Sequence, residues 1–280
     1  MTAFDARVTP ARPDLAAKHL EGKVAAARFA EGTPREVIAP QAPVRHAPSH
    51  EAPLDTEALK GERLTVYEEN GEGWSWVQLA GDGYVGWMPS EALGSPGPAV
   101  TDKVSALRTF AFPRPSIKLP PVEALTLGVT LAIAKREGDF AVTAWGHYLP
   151  ARHLSPLNAK ESDFVAVAER FIGVPYLWGG KTSFGLDCSG LVQVSLTAAG
   201  VACPRDSDMQ ENALGSALPL DAKFKRGDLL FWPGHVAIVR DADTIVHANG
   251  FHMATALEPI KDAIARIEKA GSKLRSVRRL

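Results

Sequence analysis

Short runs of alternating apolar and polar residues, separated by glycines, fill the chain between about residues 54 and 95. The runs Arg63–Tyr67, Ser75–Leu79 and Tyr84–Met88 are separated by the glycine-containing stretches 71–73 and 81–83. Strands of about five residues joined by glycine turns are typical of a small β-barrel. We therefore assign residues 46–97 to a first barrel.

A second region with the same character covers residues 98–157. Leu125–Lys135 has the composition of a strand broken at Gly128, and Phe140–Ala144 follows the Gly138-Asp139 turn. The run GHYLP at 146–150 also resembles GYVGWMP at 83–89. Two tandem copies of one small all-β module are the simplest interpretation.

The period changes after residue 160. Phe164, Val165, Ala168, Phe171 and Ile172 follow the 3.6-residue spacing of a helix, with Ser162 as its predicted cap and Gly173 and Pro175 as its stop. A second helix is predicted over Cys188–Ala199, followed by strands at Leu229–Trp232, Val236–Val239 and Ile245–Ala248. Helices followed by an antiparallel sheet predict an α+β domain over 158–280.

Residues 1–45 are assigned to an N-terminal arm. Pro13 and Asp14 form a helix-start signal, so we predict a short helix over Asp14–Arg28. The proline-rich stretch Ala39–Pro53 is interpreted as an extended linker. Because the arm contains apolar residues, we expect it to pack across the barrels.

Composition narrows the range of functions. The 280 residues carry a net charge of -1, which gives no indication of nucleic acid or an anionic membrane as partner. No apolar run is long enough to span a bilayer, and the first twenty residues lack the apolar segment of a secretion signal, so we expect the chain to be cytoplasmic. Cys188 and Cys203 are expected to be free thiols, and no metal site is predicted.

Cys188 is the first candidate for chemistry. It follows the loop Gly185–Asp187 and opens a predicted helix, where backbone N–H groups and the helix dipole stabilise a thiolate. The same N–H groups can stabilise an oxyanion. The alternative is a buried structural cysteine beside a helix cap supplied by Asp187.

Two histidines are candidates for its partners. His235 opens one predicted strand and His247 lies in the next, with a polar turn centred near Asp241 between them. A hairpin with that turn places the two histidines on one face, within about one register step. A nucleophilic cysteine needs a histidine base and a polar group that orients the base. The alternative is that one or both are ordinary strand histidines.

The motifs between residues 160 and 255 resemble the papain-like NlpC/P60 cysteine peptidases in order, spacing and residue type. The resemblance is carried by the runs Pro175–Gly180, Asp187–Val192, Arg226–Phe231, Gly234–Val236 and Ile245–Ala248. It implies that Cys188 is the nucleophile, His235 the base and His247 the group that orients the base. It also implies an oxyanion role for Tyr176 and a cleft-wall role for Trp178, where the alternative for both is core packing.

Two bacterial SH3-like modules ahead of such a domain resemble the γ-D-glutamyl-L-diamino acid dipeptidyl-peptidases. The resemblance implies that the first module closes the cleft, so that only peptides with a free N-terminal L-Ala fit. The residues implied in substrate binding are Asp187, Ser189, Ser207, Asp55 and Tyr84. The alternatives for Asp55 and Tyr84 are a solvated loop acid and a barrel-core aromatic.

The sequence therefore predicts two SH3-like barrels and an α+β papain-like peptidase domain. We expect a monomer that needs no cofactor and hydrolyses the γ-D-glutamyl-diamino acid bond of small murein peptides for peptidoglycan recycling. One alternative is a wall-peptide-binding protein with a vestigial peptidase domain. Another is an amidase or acyl transferase on the same fold.

Overall fold

The structure, a computed structural model, describes residues 4–280 and divides after Leu157 into two compact units. In the described part of the chain, no helix has the length and apolar character needed to cross a bilayer.

The N-terminal unit is built from short strands. In chain order these are β1 (Leu15–Ala17), β2 (Arg28–Ala30), β3 (Thr33–Val37), β4 (Gln41–Arg45), β5 (Leu54–Leu59), β6 (Arg63–Glu69), β7 (Trp74–Leu79), β8 (Val85–Pro89), β9 (Leu93–Gly94), β10 (Asp102–Val104), β11 (Arg108–Ala111), β12 (Glu123–Thr126), β13 (Thr130–Leu131), β14 (Ile133–Glu137), β15 (Phe140–Thr143), β16 (Tyr148–Pro150) and β17 (Leu154–Pro156).

Seven of these strands form one sheet in the order β5-β4-β8-β7-β6-β3-β9. The three predicted runs are confirmed as β6, β7 and β8. The prediction of a linker over Ala39–Pro53 is wrong, because β4 lies within this sheet. Ala42 and Val44 are fully buried in its core, and their alternation with half-buried neighbours outweighs the proline content. Pro43 is tolerated because β4 pairs with β8 only at Arg45, so the missing N–H breaks no ladder there.

The predicted helix over Asp14–Arg28 is also wrong. That segment forms β1, a single 3₁₀ turn and β2, and β1 pairs with β2 in parallel. Leu15 is fully buried against Trp76 and Val85 of the first barrel, as the apolar character of the arm predicted. The guanidinium of Arg12 lies over the Trp76 and Trp87 rings, 4.3 and 4.9 Å from their centroids. Tertiary packing thus overrides helix propensity in the arm.

The rest of the N-terminal unit consists of three small sheets, in the orders β13-β10-β17, β11-β12 and β14-β15-β16. Leu125, Val129 and Leu131 belong to a separate buried cluster that these strands surround. The predicted run over Leu125–Lys135 is split into three strands, and Gly128 lies at one of the breaks with φ of 92°. That this region is a second SH3-like barrel remains a prediction.

The C-terminal unit combines four helices with two sheets. Its elements are α1 (Phe164–Glu169), β18 (Lys181–Thr182), β19 (Gly185–Leu186), α2 (Cys188–Ala198), α3 (Ser207–Ala213), β20 (Ser216–Leu218), β21 (Leu229–Trp232), β22 (His235–Val239), β23 (Thr244–Asn249), β24 (Ala254–Pro259), α4 (Ile260–Lys269) and β25 (Ser276–Arg279).

Its main sheet has the order β20-β25-β21-β22-β23-β24. Helix α4 packs on this sheet through Ile260 and Ala263, which join Leu230 and Val239 in one buried cluster. Helix α2 packs against α1, β22 and β23. The predicted second helix and its three following strands are confirmed. The first helix is shorter than predicted, and its cap is Asp163 because that carboxylate accepts the N–H groups of the first turn.

Candidate active site

Helix α2 presents Cys188 at its first turn. Asp187 caps the helix by accepting the N–H of Gly190 at 2.7 Å. A Cβ at position 190 would lie 2.2 Å from the carbonyl oxygen of Gly180, so only glycine allows the loop and the helix to approach this closely. The thiol is therefore held at a helix N-terminus, as the motif predicts.

A buried ion pair between Arg205 and Asp187 holds the loop before Cys188 against the start of α2. Arg205, 1% exposed, donates to both carboxylate oxygens of Asp187 at 3.0 and 2.7 Å. It also donates to the Ser189 hydroxyl and to the Gly180 carbonyl. The same carboxylate accepts the N–H of Gly179, so a single side chain connects the loop, the helix and Arg205.

The hairpin between β21 and β22 positions His235. Trp232 pairs with His235 across a two-residue turn, Pro233-Gly234, in which Gly234 has φ of 74°. A proline followed by a residue with positive φ is the signature of a type II turn. The Cys188 Sγ lies 4.0 Å from the Gly234 carbonyl oxygen, and the Val236 N–H also donates to the thiol. The thiol therefore touches the backbone on both sides of His235.

The two histidines are in contact. His235 Nε2 lies 3.0 Å from His247 Nδ1, although the strand register is not the one predicted. Ile238 pairs with Val246, which places His247 across from residue 237, two residues from His235 and on the same face. Because the offset is even, the predicted side-chain contact is retained.

The chain of contacts continues beyond His247. Its Nε2 lies 3.0 Å from Glu258 Oε2, and Arg266 of α4 donates to both Glu258 oxygens at 2.8 and 2.7 Å. His247 is fully buried and Glu258 nearly so. A row of four side chains thus extends from His235 to the surface of α4.

Burial shifts the pKa values of both Cys188 and His235. Burial raises the pKa of the Cys188 thiol to about 12, and the Asp187 carboxylate adds to the rise. Burial also lowers the pKa of His235 to about 3. The two effects favour a neutral thiol beside a neutral imidazole. Desolvation therefore opposes the thiolate that the helix dipole favours.

Tyr176 lies near the thiol. It forms a β-bridge with Leu186, two residues before Cys188, and burial raises the pKa of its phenol to about 12. The hydroxyl therefore stays protonated and can donate a hydrogen bond. Trp178 in the same loop is 66% exposed, so the alternative of core packing is wrong for it.

The predicted substrate-binding residues of the C-terminal unit have different surroundings. Asp187 and Ser189 are buried in the Arg205 network, which gives both a structural role. Ser207 is half-buried and is the first residue of α3. Contact of these three residues with substrate remains a prediction.

The two predicted residues of the first barrel also differ from each other. Asp55 lies in β5, is 22% exposed at its side chain and has an oxygen 3.5 Å from His46 Nδ1. Tyr84 is 5% exposed and belongs to the apolar core of the barrel, as its alternative interpretation held. A substrate role for either residue remains a prediction.

Sequence reasoning missed three charged residues of the site. Arg205 lies two residues before Ser207, but nothing in its local sequence pattern marks it as buried. Glu258 and Arg266 lie on β24 and α4, neither of which was predicted. The run ATALEP at 254–259 shows no consistent alternation of apolar and polar residues, so the strand signal was weak.

This geometry, a thiol at a helix N-terminus beside a histidine pair, is that of a cysteine-nucleophile site. Residues 173–265 match the NlpC/P60 family, and residues 44–93 match the bacterial dipeptidyl-peptidase SH3 domain. The chain therefore carries an NlpC/P60 domain and, ahead of it, a bacterial SH3 domain.

Curated relatives agree with this assignment. The chain is 35% identical over 194 residues to a γ-D-glutamyl-L-lysine dipeptidyl-peptidase of Bacillus subtilis, covering 64% of each protein. It is also 35% identical over 117 residues to dipeptidyl-peptidase 6 of Lysinibacillus sphaericus, covering 42% of this chain and 43% of that one. The matches thus span less than two thirds of both relatives.

A solved structure has the same fold. The crystal structure of an NlpC/P60 family protein from Bacillus cereus aligns with a TM-score of 0.76 and 20% identity. The alignment covers 88% of this chain and 99% of that one.

Proposed function

We propose that this protein is a cysteine peptidase that hydrolyses the γ-D-glutamyl-diamino acid bond of murein peptides with a free N-terminal L-Ala. The observation that carries the proposal is the placement of Cys188 at the start of α2, with its thiol on the backbone beside His235 and the His235 ring 3.0 Å from His247, within an NlpC/P60 domain. The names of the relatives support the bond and the substrate class.

In the proposed reaction, His235 accepts the thiol proton as the Cys188 sulfur attacks the γ-carbonyl carbon of D-Glu. Proton transfer accompanies attack because the resting pair is neutral. The Cys188 N–H and the Tyr176 hydroxyl stabilise the oxyanion. The C–N bond then breaks, and protonated His235 gives its proton to the leaving amine. Water, deprotonated by His235, hydrolyses the thioester and regenerates the thiol.

The products are L-Ala-D-Glu and a diamino acid, free or still carrying D-Ala. A substrate with a free L-Ala amine has already been released from the glycan strand. We therefore propose a role in recycling or catabolism of released wall peptides, in the cytoplasm, by a monomer.

We propose further a gate in the sense of substrate selection, by which only peptides with a free N-terminal amine are cleaved. An ammonium at a closed cleft end needs a carboxylate partner, because an unpaired buried charge is costly. Asp55 is the proposed carboxylate partner and Tyr84 a proposed hydrogen-bond donor, with Asp187, Ser189, Ser207 and Trp178 as the other proposed substrate-binding residues.

The test is a mass-spectrometric assay of L-Ala-γ-D-Glu-diaminopimelate and L-Ala-γ-D-Glu-L-Lys, each beside its N-acetylated form. Cys188→Ala is expected to abolish cleavage. Cys203→Ala is the matched control, because Cys203 is the other buried cysteine of this unit and forms no disulfide, and it is expected to keep activity.

Cleavage of the free-amine peptides alone would support both the nucleophile and the gate. Cleavage of both forms would remove the gate and leave Asp55 and Tyr84 as ordinary barrel residues. Failure to cleave either form would refute the peptidase proposal in favour of a wall-peptide-binding protein or an enzyme acting on another acyl substrate.

A further inference from the structure

The carboxylate of Glu258 is in a position to act on His235 through the imidazole ring of His247. Its oxygens contact His247 on one side and Arg266 on the other, and it is 7% exposed. Glu258 pairs across from Ile245 in the sheet, which places it on the same face as His247. The contact therefore follows from the register of β23 and β24 and does not depend on a loop.

The direction of each hydrogen bond in the row follows from the chemistry of its end group. An ionised carboxylate only accepts hydrogen bonds, so the Glu258 oxygen 3.0 Å from Nε2 favours the His247 tautomer that carries its proton on Nε2. His247 Nδ1 is then a lone pair and accepts the Nε2–H of His235. That leaves the proton of a neutral His235 on Nε2 and its Nδ1 unprotonated.

Nδ1 is the only ring nitrogen of His235 that remains available to the thiol. A base must present a lone pair to the proton that it takes. If the row were reversed, His247 Nδ1–H would donate to His235 Nε2, and the Nδ1 of a neutral His235 would carry a proton. His235 could not then accept the proton of Cys188.

We propose that Glu258 and Arg266 are positioning residues that fix the tautomers of His247 and His235, so that His235 presents an unprotonated Nδ1 to Cys188. This inference deepens the proposed function and rests on it only for the identity of the peptide substrate. Arg266 keeps Glu258 ionised: burial raises the pKa of Glu258, but the Arg266 hydrogen bonds and the neighbouring charges outweigh burial and leave it below the usual range.

Glu258 and Arg266 also shift the pKa values of His235 and His247. The Glu258 carboxylate raises the pKa of both imidazoles and the Arg266 guanidinium lowers it, although burial is the largest influence and leaves both low. The other titratable group facing His247 is His252, which lowers its pKa further. Neutralising Glu258 or Arg266 must therefore move the histidine titration in opposite directions.

The first experiment reads the tautomers directly, with no substrate. The full chain is labelled with ¹⁵N-histidine, and His235→Gln and His247→Gln assign the ring signals. Wild type is expected to show the Nε2–H tautomer at both rings. Glu258→Leu, which removes the acceptor, is expected to give a mixture, and Glu258→Gln, which keeps an acceptor oxygen, a smaller change.

The second experiment measures the rate at which iodoacetamide alkylates Cys188, as a function of pH, in a Cys203→Ala background. We expect Glu258→Gln to slow alkylation about 10- to 100-fold, the usual effect of losing a partner that orients a functional histidine. The acid limb of the alkylation rate of Glu258→Gln is expected at lower pH than that of wild type. Arg266→Met is expected to move the acid limb to higher pH.

Glu211→Gln is the matched control, because Glu211 is another nearly buried glutamate held by an arginine, Arg275, in the same unit. It is expected to leave tautomers and acid limb unchanged. Unaltered tautomers in Glu258→Leu, or acid limbs that move the same way in the Glu258 and Arg266 variants, would overturn the proposal. Both readouts work without peptide cleavage, so the failure of the proposed function would be seen separately.

Discussion

Replacing Arg205 by methionine tests whether its buried ion pair with Asp187 stabilises the loop and the first turn of α2 around Cys188. Arg205 donates two charge-assisted hydrogen bonds to Asp187 and one each to Ser189 and Gly180. The guanidinium is charged in all four bonds, so at about 1.5–3 kcal/mol for each bond the gross loss is about 6–12 kcal/mol. Relief from burying the guanidinium offsets part of this, which leaves an expected net cost of about 3–5 kcal/mol.

The assay is urea unfolding of the full chain, with hydrogen exchange of peptides from α2 reporting on the C-terminal unit. Arg170→Met is the control, because Arg170 pairs with Glu161 at the surface of the same unit, where both side chains are about one third exposed or more. Such an exposed pair is worth about 0–1 kcal/mol. We also expect Asp187→Asn combined with Arg205→Met to cost less than the sum of the single changes, since no unpaired charge remains.

If Arg205→Met lowers the free energy of unfolding no more than Arg170→Met does, the Arg205–Asp187 ion pair does not stabilise the start of α2, and the reasoning from burial is refuted. A double variant that is additive would show that the two side chains do not depend on each other.

Four further predictions follow from the site. Tyr176→Phe should lower kcat on the tripeptide by about 100- to 1000-fold, the usual effect of losing an oxyanion donor, with little change in KM. The acid limb of kcat/KM should lie below pH 6.5, because burial lowers the pKa of His235, and a limb at or above 6.5 would contradict this. Acidification from pH 6.5 towards 4 should lower the unfolding free energy of wild type more than that of His247→Gln. Over this range His247 binds a proton in the unfolded chain but not in the folded protein, because burial lowers the pKa of the folded ring to about 4. Gly190→Ala should destabilise α2, seen as faster hydrogen exchange, because its Cβ would meet the Gly180 carbonyl.

The sequence was most informative where one short segment decides the local structure. A loop ending in Asp187 followed by an apolar helix predicts both the cap and the place of Cys188. His235 and His247 were found because their strands are almost wholly apolar and separated by a short polar turn. In each case a local pattern is enough, because the partner elements are adjacent in sequence.

Prediction failed where distant packing decides the structure. The arm has a helix-start signal, yet Leu15 is buried on Trp76, more than sixty positions away. Arg205 and Glu258 were missed because a charged residue in a polar or mixed segment is normally solvated, and only the tertiary contact with Asp187 or His247 gives it a role. Such partners cannot be read from spacing alone.

The position of Arg12 over two tryptophan rings determines what an N-terminal truncation of the protein would expose. A protein that began at Thr33, the first residue of the barrel sheet, would lose Leu15 and Arg12 and uncover the faces of Trp76 and Trp87 together with Val85. Contiguous exposed aromatic surface promotes self-association. Removal of the arm is therefore expected to make the barrel self-associate. The arm shields an aromatic surface of the barrel from solvent.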